Sequence, residues 1–190
     1  IISTQQATQW FNLDSIGKSP ARMDYKKLDN LNGHYIRETP DAALTAELVA
    51  IAERQSPPLV LNATARARLE AAMASLKARA KTLMELLQGA DFLFTDGPRV
   101  LDEAAQKLLT AEARQGLAKT LPLLEATDWS APALEVAARE HAESSGQKLG
   151  QVAQPLRAAL TGRASSPPLF EMLALLGREE SLNRLRAYIT

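Results

Sequence analysis

The chain has 190 residues, 46% of them hydrophobic and 23% charged, and its 22 Lys and Arg balance its 22 Asp and Glu to a net charge of zero. A globular chain of this size builds one domain or two small ones, while the absence of cysteine excludes disulfides and thiolate metal sites and fits a reducing, cytoplasmic setting. No apolar run approaches the roughly 20 residues that cross a bilayer, no signal-peptide pattern opens the chain, and a first residue Ile1 in place of Met reads as a piece of a longer polypeptide or a processed product.

Helical periodicity runs from end to end, and no stretch alternates with period two around a hairpin turn, so the expected class is all-α. In chain order, predicted helices cover residues 4–11, 24–37, 40–54, 64–88, 100–109, 112–125, 132–143, 155–161, 168–176 and 179–189. Asn62, Thr110 and Ser130 suit N-caps, because their side-chain oxygens can accept from the unpaired N–H groups of a first turn. Pro40 and Pro132 suit first-turn positions, where no N–H is missed, and Gly146, Gly162 and Gly177 suit C-terminal caps. Pro122 should bend or interrupt its helix.

The helix over 64–88 carries the clearest stripe: Leu69, Ala72, Met73, Leu76, Ala80, Leu83, Met84 and Leu87 recur in three- and four-residue steps. As one rod it would extend about 37 Å, and at about 100° per residue Arg79 stands at the edge of the buried stripe, on the flank of Arg68 and Ser75. A composition shift at Asp96, Gly97 and Pro98 divides the chain into a first helical unit, 1–98, and a second, 99–190.

Zero net charge is a sum of segments of opposite sign. Residues 18–37 are basic through Lys18, Arg22, Lys26, Lys27 and Arg37; so are 66–81, through Arg66, Arg68, Lys77, Arg79 and Lys81, and the chain from Lys148 onward, whereas 82–147 is acidic. Three separated stretches can therefore build one basic face, and ordinary surface patchiness is the alternative reading.

The most informative segment is 148–177, KLGQVAQPLRAALTGRASSPPLFEMLALLG. Gly162 ends one helix, and Pro167 and Pro168 then fix two φ angles and push their predecessors towards extended backbone. The backbone of Ser166 is thereby held out stiffly before the next helix begins. On the preceding helix Val152, Leu156, Ala159 and Leu160 turn inward and leave Gln154, Arg157 and Thr161 outward, so donors converge on the bend. It reads as a site for single-stranded RNA, where a base edge or a phosphate oxygen meets a helix start at little ordering cost. A plain helix hairpin with a proline-capped start is the alternative.

QPLRAALTG, a Ser-Pro pair and a leucine-rich helix resemble the C-terminal end of bacterial glutamyl-tRNA synthetases. SPARMDYKKLDNLNGHYIRE, residues 19–38, is similar to the family element that lies against the tRNA beyond the catalytic domain, and DFLFTD at 91–96 is similar to its aromatic-Leu-Phe segment. The resemblance implies an all-helical cage that reads the anticodon, with tRNA contacts falling on Arg157, Gln154, Ser166, Pro167 and Leu169, with Lys27 on the first element. An ungapped alignment places on Arg79 the arginine that the family uses against the third anticodon letter. Guanidinium forks suit the acceptors of C and U edges, and unstacked loop bases can be splayed and read. Where the family has Phe, an aromatic and Gly, this chain has Met23, Asn30 and Pro168.

The partners implied are tRNA for glutamate, alone or together with tRNA for glutamine, and a catalytic domain in the same polypeptide, with no membrane. That parent enzyme uses ATP with Mg; the residues here contain no HIGH-like or KMSKS-like signature, so the piece itself should bind RNA without chemistry, cofactor or metal. Gly17, Lys18 and Ser19 look like the tail of a phosphate-binding loop, but Asn12 stands where its first Gly belongs. His34 and His141 are isolated and lack metal-ligand spacing. The competing class is a helical scaffold that binds protein through apolar grooves and the acidic 82–147 region.

Overall fold

Side-chain caps decide where most helices of this chain begin. Asp24, Asn62, Thr82, Asp102, Thr110 and Ser130 each accept a hydrogen bond from the backbone N–H three residues on, satisfying a donor that the first turn leaves unpaired. In the computed structural model, which describes residues 1–17, 19, 20 and 22–189, there are α-helices and short 3-10 turns and no strand among the described residues. Lys18, of the first basic stretch and the Gly17-Lys18-Ser19 tripeptide, lies outside the described residues.

The helices are α1 (Thr4–Trp10), α2 (Tyr25–Glu38), α3 (Asp41–Glu53), α4 (Ala63–Lys77), α5 (Leu83–Ala90), α6 (Glu103–Leu108), α7 (Ala111–Ala126), α8 (Ala131–Ser144), α9 (Leu149–Thr161), α10 (Leu169–Leu176) and α11 (Arg178–Arg186). The all-α expectation holds, and the three sequence-assigned N-caps all cap.

Two expectations are corrected. The rod over 64–88 is two helices: the chain leaves α4 at Ala78, and Thr82, with extended backbone, caps α5 by accepting from the Glu85 N–H at 3.1 Å while Glu85 Oε2 accepts from the Lys81 N–H at 2.8 Å. That reciprocal cap outweighs the continuous apolar stripe. Helix α9 starts at Leu149 rather than at Pro155, because Gln151 Oε1 accepts from the Lys148 N–H at 2.8 Å and builds an extra turn upstream of the proline. Pro122 lies inside α7 without ending it; buried Leu117 and Leu124 on either side hold that helix against its neighbours.

Helices α3, α4 and α5 pack together, α7, α8 and α9 form a second group with α11 laid on α7 and α9, and α10 packs on α4 as well as on α8 and α9. One apolar cluster continues from Ile36 to Leu185 across the turn at 95–98. Polar ties follow the same path: Ser75 Oγ donates to Glu171 Oε2 at 2.7 Å, and Arg68 pairs with Asp96 at 2.6 Å and donates to the Leu176 carbonyl at 3.2 Å. Trp129 Nε1 donates to the Leu173 carbonyl at 2.9 Å, whereas α1 has no buried residue and leaves Trp10 exposed.

The largest fully buried side chain is charged. Arg184, on α11 and 0% exposed, donates through Nε to Glu180 Oε1 at 2.5 Å, through Nη1 to the carbonyls of Phe92 and Leu160 at 2.9 Å each, and through Nη2 to the Thr95 carbonyl at 2.7 Å. Glu180 Oε1 also accepts from the Gly97 N–H at 2.8 Å. Burial lowers the pKa of Arg184 and the Glu180 carboxylate opposes that shift; a guanidinium nevertheless stays protonated. Arg184→Ala should strand Glu180 and three carbonyls in a dry interior and remove about 3–5 kcal/mol of stability. Urea unfolding measures it, with Arg184→Lys expected to recover little, since an ammonium cannot reproduce the planar fork.

Candidate nucleic-acid interface

Helix α9 carries Arg157 and ends at Gly162, whose φ of +76° is left-handed. A Cβ there would stand 2.4 Å from the Val100 carbonyl oxygen, so only glycine lets the chain turn this close to the 99–101 segment. The Asp102 N–H donates to the Gly162 carbonyl at 2.9 Å and fixes the start of the connector 163–168.

Two arginines meet on that connector. Arg157 Nη1 donates to the Ser166 carbonyl at 2.9 Å, the Ser166 hydroxyl at 2.7 Å and the Pro167 carbonyl at 3.1 Å. Arg79 Nη1 donates to the same Ser166 carbonyl at 2.7 Å. Arg79 reaches it because the chain leaves α4 one residue earlier, and this exposed side chain is no longer held to a helix face. Burial, and then the positive charge of Arg79, lower the pKa of Arg157. Neither arginine forms an ion pair among the described residues, whereas Lys77 pairs with Asp41 at 2.7 Å and Arg163 with Asp91 at 2.5 Å.

Between the α4–α5 break and the connector lies a hollow of about 270 Å³. Leu76, Ala80, Leu86 and Phe92 supply apolar wall, and Arg79, Glu85, Arg163, Ser165 and Ser166 supply polar groups. Apolar surface with a few convergent donors suits a flat, unstacked base, whose faces are apolar and whose edges are polar.

Of the residues singled out from the sequence, the structure brings Arg79, Arg157, Ser166 and Pro167 together. The Ser166 hydroxyl is turned inward, accepting from Arg157 and donating to the Pro167 carbonyl at 2.9 Å. Thr161 is not outward: it is 2% exposed, and its hydroxyl donates to the Arg157 carbonyl at 2.8 Å. Gln154 is exposed three residues before Arg157 on α9 and does not line the hollow. Leu169, the first residue of α10, is 3% exposed and packs into the core. Lys27 lies elsewhere, on α2 beside a depression lined by Ile1, Ile2, Asn30, Leu31 and Tyr35. Sequence reasoning missed Arg163 and Glu85; the Thr82-x-x-Glu85 capping spacing carried the signal for the second.

Fold and site together define a helical domain in which two guanidiniums without carboxylate partners meet beside a partly apolar hollow, the equipment of a nucleic-acid reader. Residues 43–189 match the family described as anticodon binding domain. The chain is 54% identical over 98% of its length to glutamate–tRNA ligase 1 of Methylobacterium sp. (strain 4-46) and 49% identical over 98% to glutamate–tRNA ligase of Azorhizobium caulinodans, spanning 40% of each relative. All of it superposes on 37% of a glutamate tRNA ligase from Elizabethkingia meningosepticum with a TM-score of 0.79 at 22% identity, a likeness of fold. The chain belongs to the anticodon-binding domain family.

The two arginines differ in structural weight. Arg79→Gln, at an exposed position with one hydrogen bond to the connector, should change stability by no more than about 0.5 kcal/mol. Arg157→Ala removes three hydrogen bonds to the bend and should cost about 1–3 kcal/mol. Thermal unfolding of both variants gives the comparison.

Proposed function

We propose that this chain reads the anticodon of tRNA for glutamate as part of a glutamate–tRNA ligase, with Arg79, Arg157 and the Ser166–Pro167 bend as its reading surface. One observation carries the proposal: two guanidiniums without carboxylate partners converge on a single carbonyl at the mouth of a hollow sized for a base. Arg157 holds the bend in place, and Arg79 has donors left to offer the acceptors of a pyrimidine edge. The surface is formed before the ligand arrives, which limits the ordering cost of binding.

In this reading the first unit, 1–98, contributes Arg79 and lays Lys27 against the tRNA, and the second, 99–190, contributes the connector, with Gln154 on its approach and Leu169 supporting Pro167 from below. Glutamate and ATP, with Mg, would react in the remaining portion of the parent enzyme to give glutamyl adenylate and then glutamyl-tRNA, in the cytoplasm. No helix of the described residues is long and apolar enough to cross a membrane.

Titrating anticodon stem-loops of tRNA for glutamate and for glutamine tests the reading. Arg79→Ala and Arg157→Ala should each weaken the preferred stem-loop about tenfold and flatten the preference among anticodons. Lys27→Ala and Lys81→Ala should instead lower affinity evenly and reduce the salt slope by about one each. An unchanged base preference in both arginine variants overturns the assignment.

A further inference from the structure

The hollow also carries a carboxylate, and a carboxylate is unfavourable on a surface that only attracts RNA. Glu85 lies in the first turn of α5; its backbone N–H is held by the Thr82 hydroxyl at 3.1 Å, and its Oε2 accepts from the Lys81 N–H at 2.8 Å. The local cap therefore fixes the side chain at the hollow. It engages one oxygen. Among the described residues Oε1 accepts no hydrogen bond, and Glu85 forms no ion pair with Arg79 or Arg163, although all three line the same space.

We infer that Glu85 makes this hollow selective for cytosine over uracil at one anticodon position, an assignment that rests on the anticodon-reading function proposed above. The two bases differ on their Watson–Crick edges. Cytosine presents an N4 amine next to the N3 and O2 acceptors, so a carboxylate and a guanidinium together complement it. Uracil presents O4 where the amine would be, and that oxygen would face Oε1 with no proton between them. The carboxylate acts against uracil as much as it acts for cytosine. A guanidinium on the N3 and O2 edge tests only whether N3 is an acceptor, as in cytosine, or an N–H, as in uracil; Glu85 adds a second test at the 4-position.

Glu85 also caps α5, and the test must separate the two roles. In Glu85→Gln the amide oxygen can keep the Lys81 N–H, which leaves the NH2 facing the hollow; a donor there suits O4 of uracil. The full chain, as wild type and E85Q, is titrated with anticodon stem-loops in which cytosine and uracil are exchanged one position at a time. Wild type should prefer cytosine about tenfold at one position. At that position E85Q should lower the ratio severalfold and leave the other positions unchanged. A second measurement leaves the protein untouched: replacing that cytosine by 2-pyrimidinone, which lacks the 4-amino group, should weaken wild-type binding about tenfold.

Equal binding of cytosine and 2-pyrimidinone, or a cytosine preference undiminished in E85Q, overturns the role of Glu85. So does an even change of affinity at every position, which would mark Glu85 as a distant charge. If those results come with an anticodon preference that still depends on Arg79, the broader reading stands and only this inference falls. If wild type binds all stem-loops alike, both fall.

Discussion

The buried guanidinium of Arg184 holds the molecule together. It joins three pieces of chain that share no secondary structure, the 92–95 segment after α5, the end of α9 and α11 itself, through carbonyls that would otherwise be unpaired in an apolar interior. Each of those carbonyls ends or follows a helix, where the backbone has lost its own donor. Glu180 neutralises the charge and takes the Gly97 N–H as well, so the turn at 95–98 is clamped from both sides. The α4–α5 corner and α9 carry the two arginines of the proposed reading surface, and this clamp sets how the elements behind them stand relative to each other.

Charge sum and charge availability differ in this chain. The net charge is zero, and several basic side chains are engaged: Arg66, Arg68, Lys77 and Arg163 in ion pairs, Arg184 in the core. Arg79 and Arg157 are turned to a backbone carbonyl instead, an acceptor that carries no formal charge. Both keep their charge out of an ion pair, and a site for an electron-rich ligand can exist on a neutral protein.

Much of this was legible in the sequence for identifiable reasons. Asn62, Thr110 and Ser130 stand directly before helical apolar runs, and a short polar side chain in that place has one dominant use. Gly162 followed by two prolines five and six residues later marks a stiff bend whatever surrounds it, and the bend is where Arg157 points. The break at 78–82 was hidden because Ala80, Leu83, Met84 and Leu87 continue the apolar period through it, and periodicity does not register the Thr82 cap that restarts the helix. Arg184 was hidden for a different reason: in REESLNRLR it has the spacing of an ordinary surface i, i+4 pair with Glu180, and its three carbonyl acceptors lie 24, 89 and 92 positions away. The convergence of Arg79 with Arg157 likewise needed the coordinates, since 87 residues separate Arg79 from the carbonyl they share.

The two tryptophans occupy opposite environments. Trp10 is 64% exposed on a helix that buries nothing, and Trp129 is tied by its indole N–H to the end of α10 beside the core. Fluorescence from this chain consequently has two components, one already water-like in the native state and one that reddens only when α8 and α10 separate. The second component gives the helical cage an intrinsic optical reporter of its own integrity, free of any attached label.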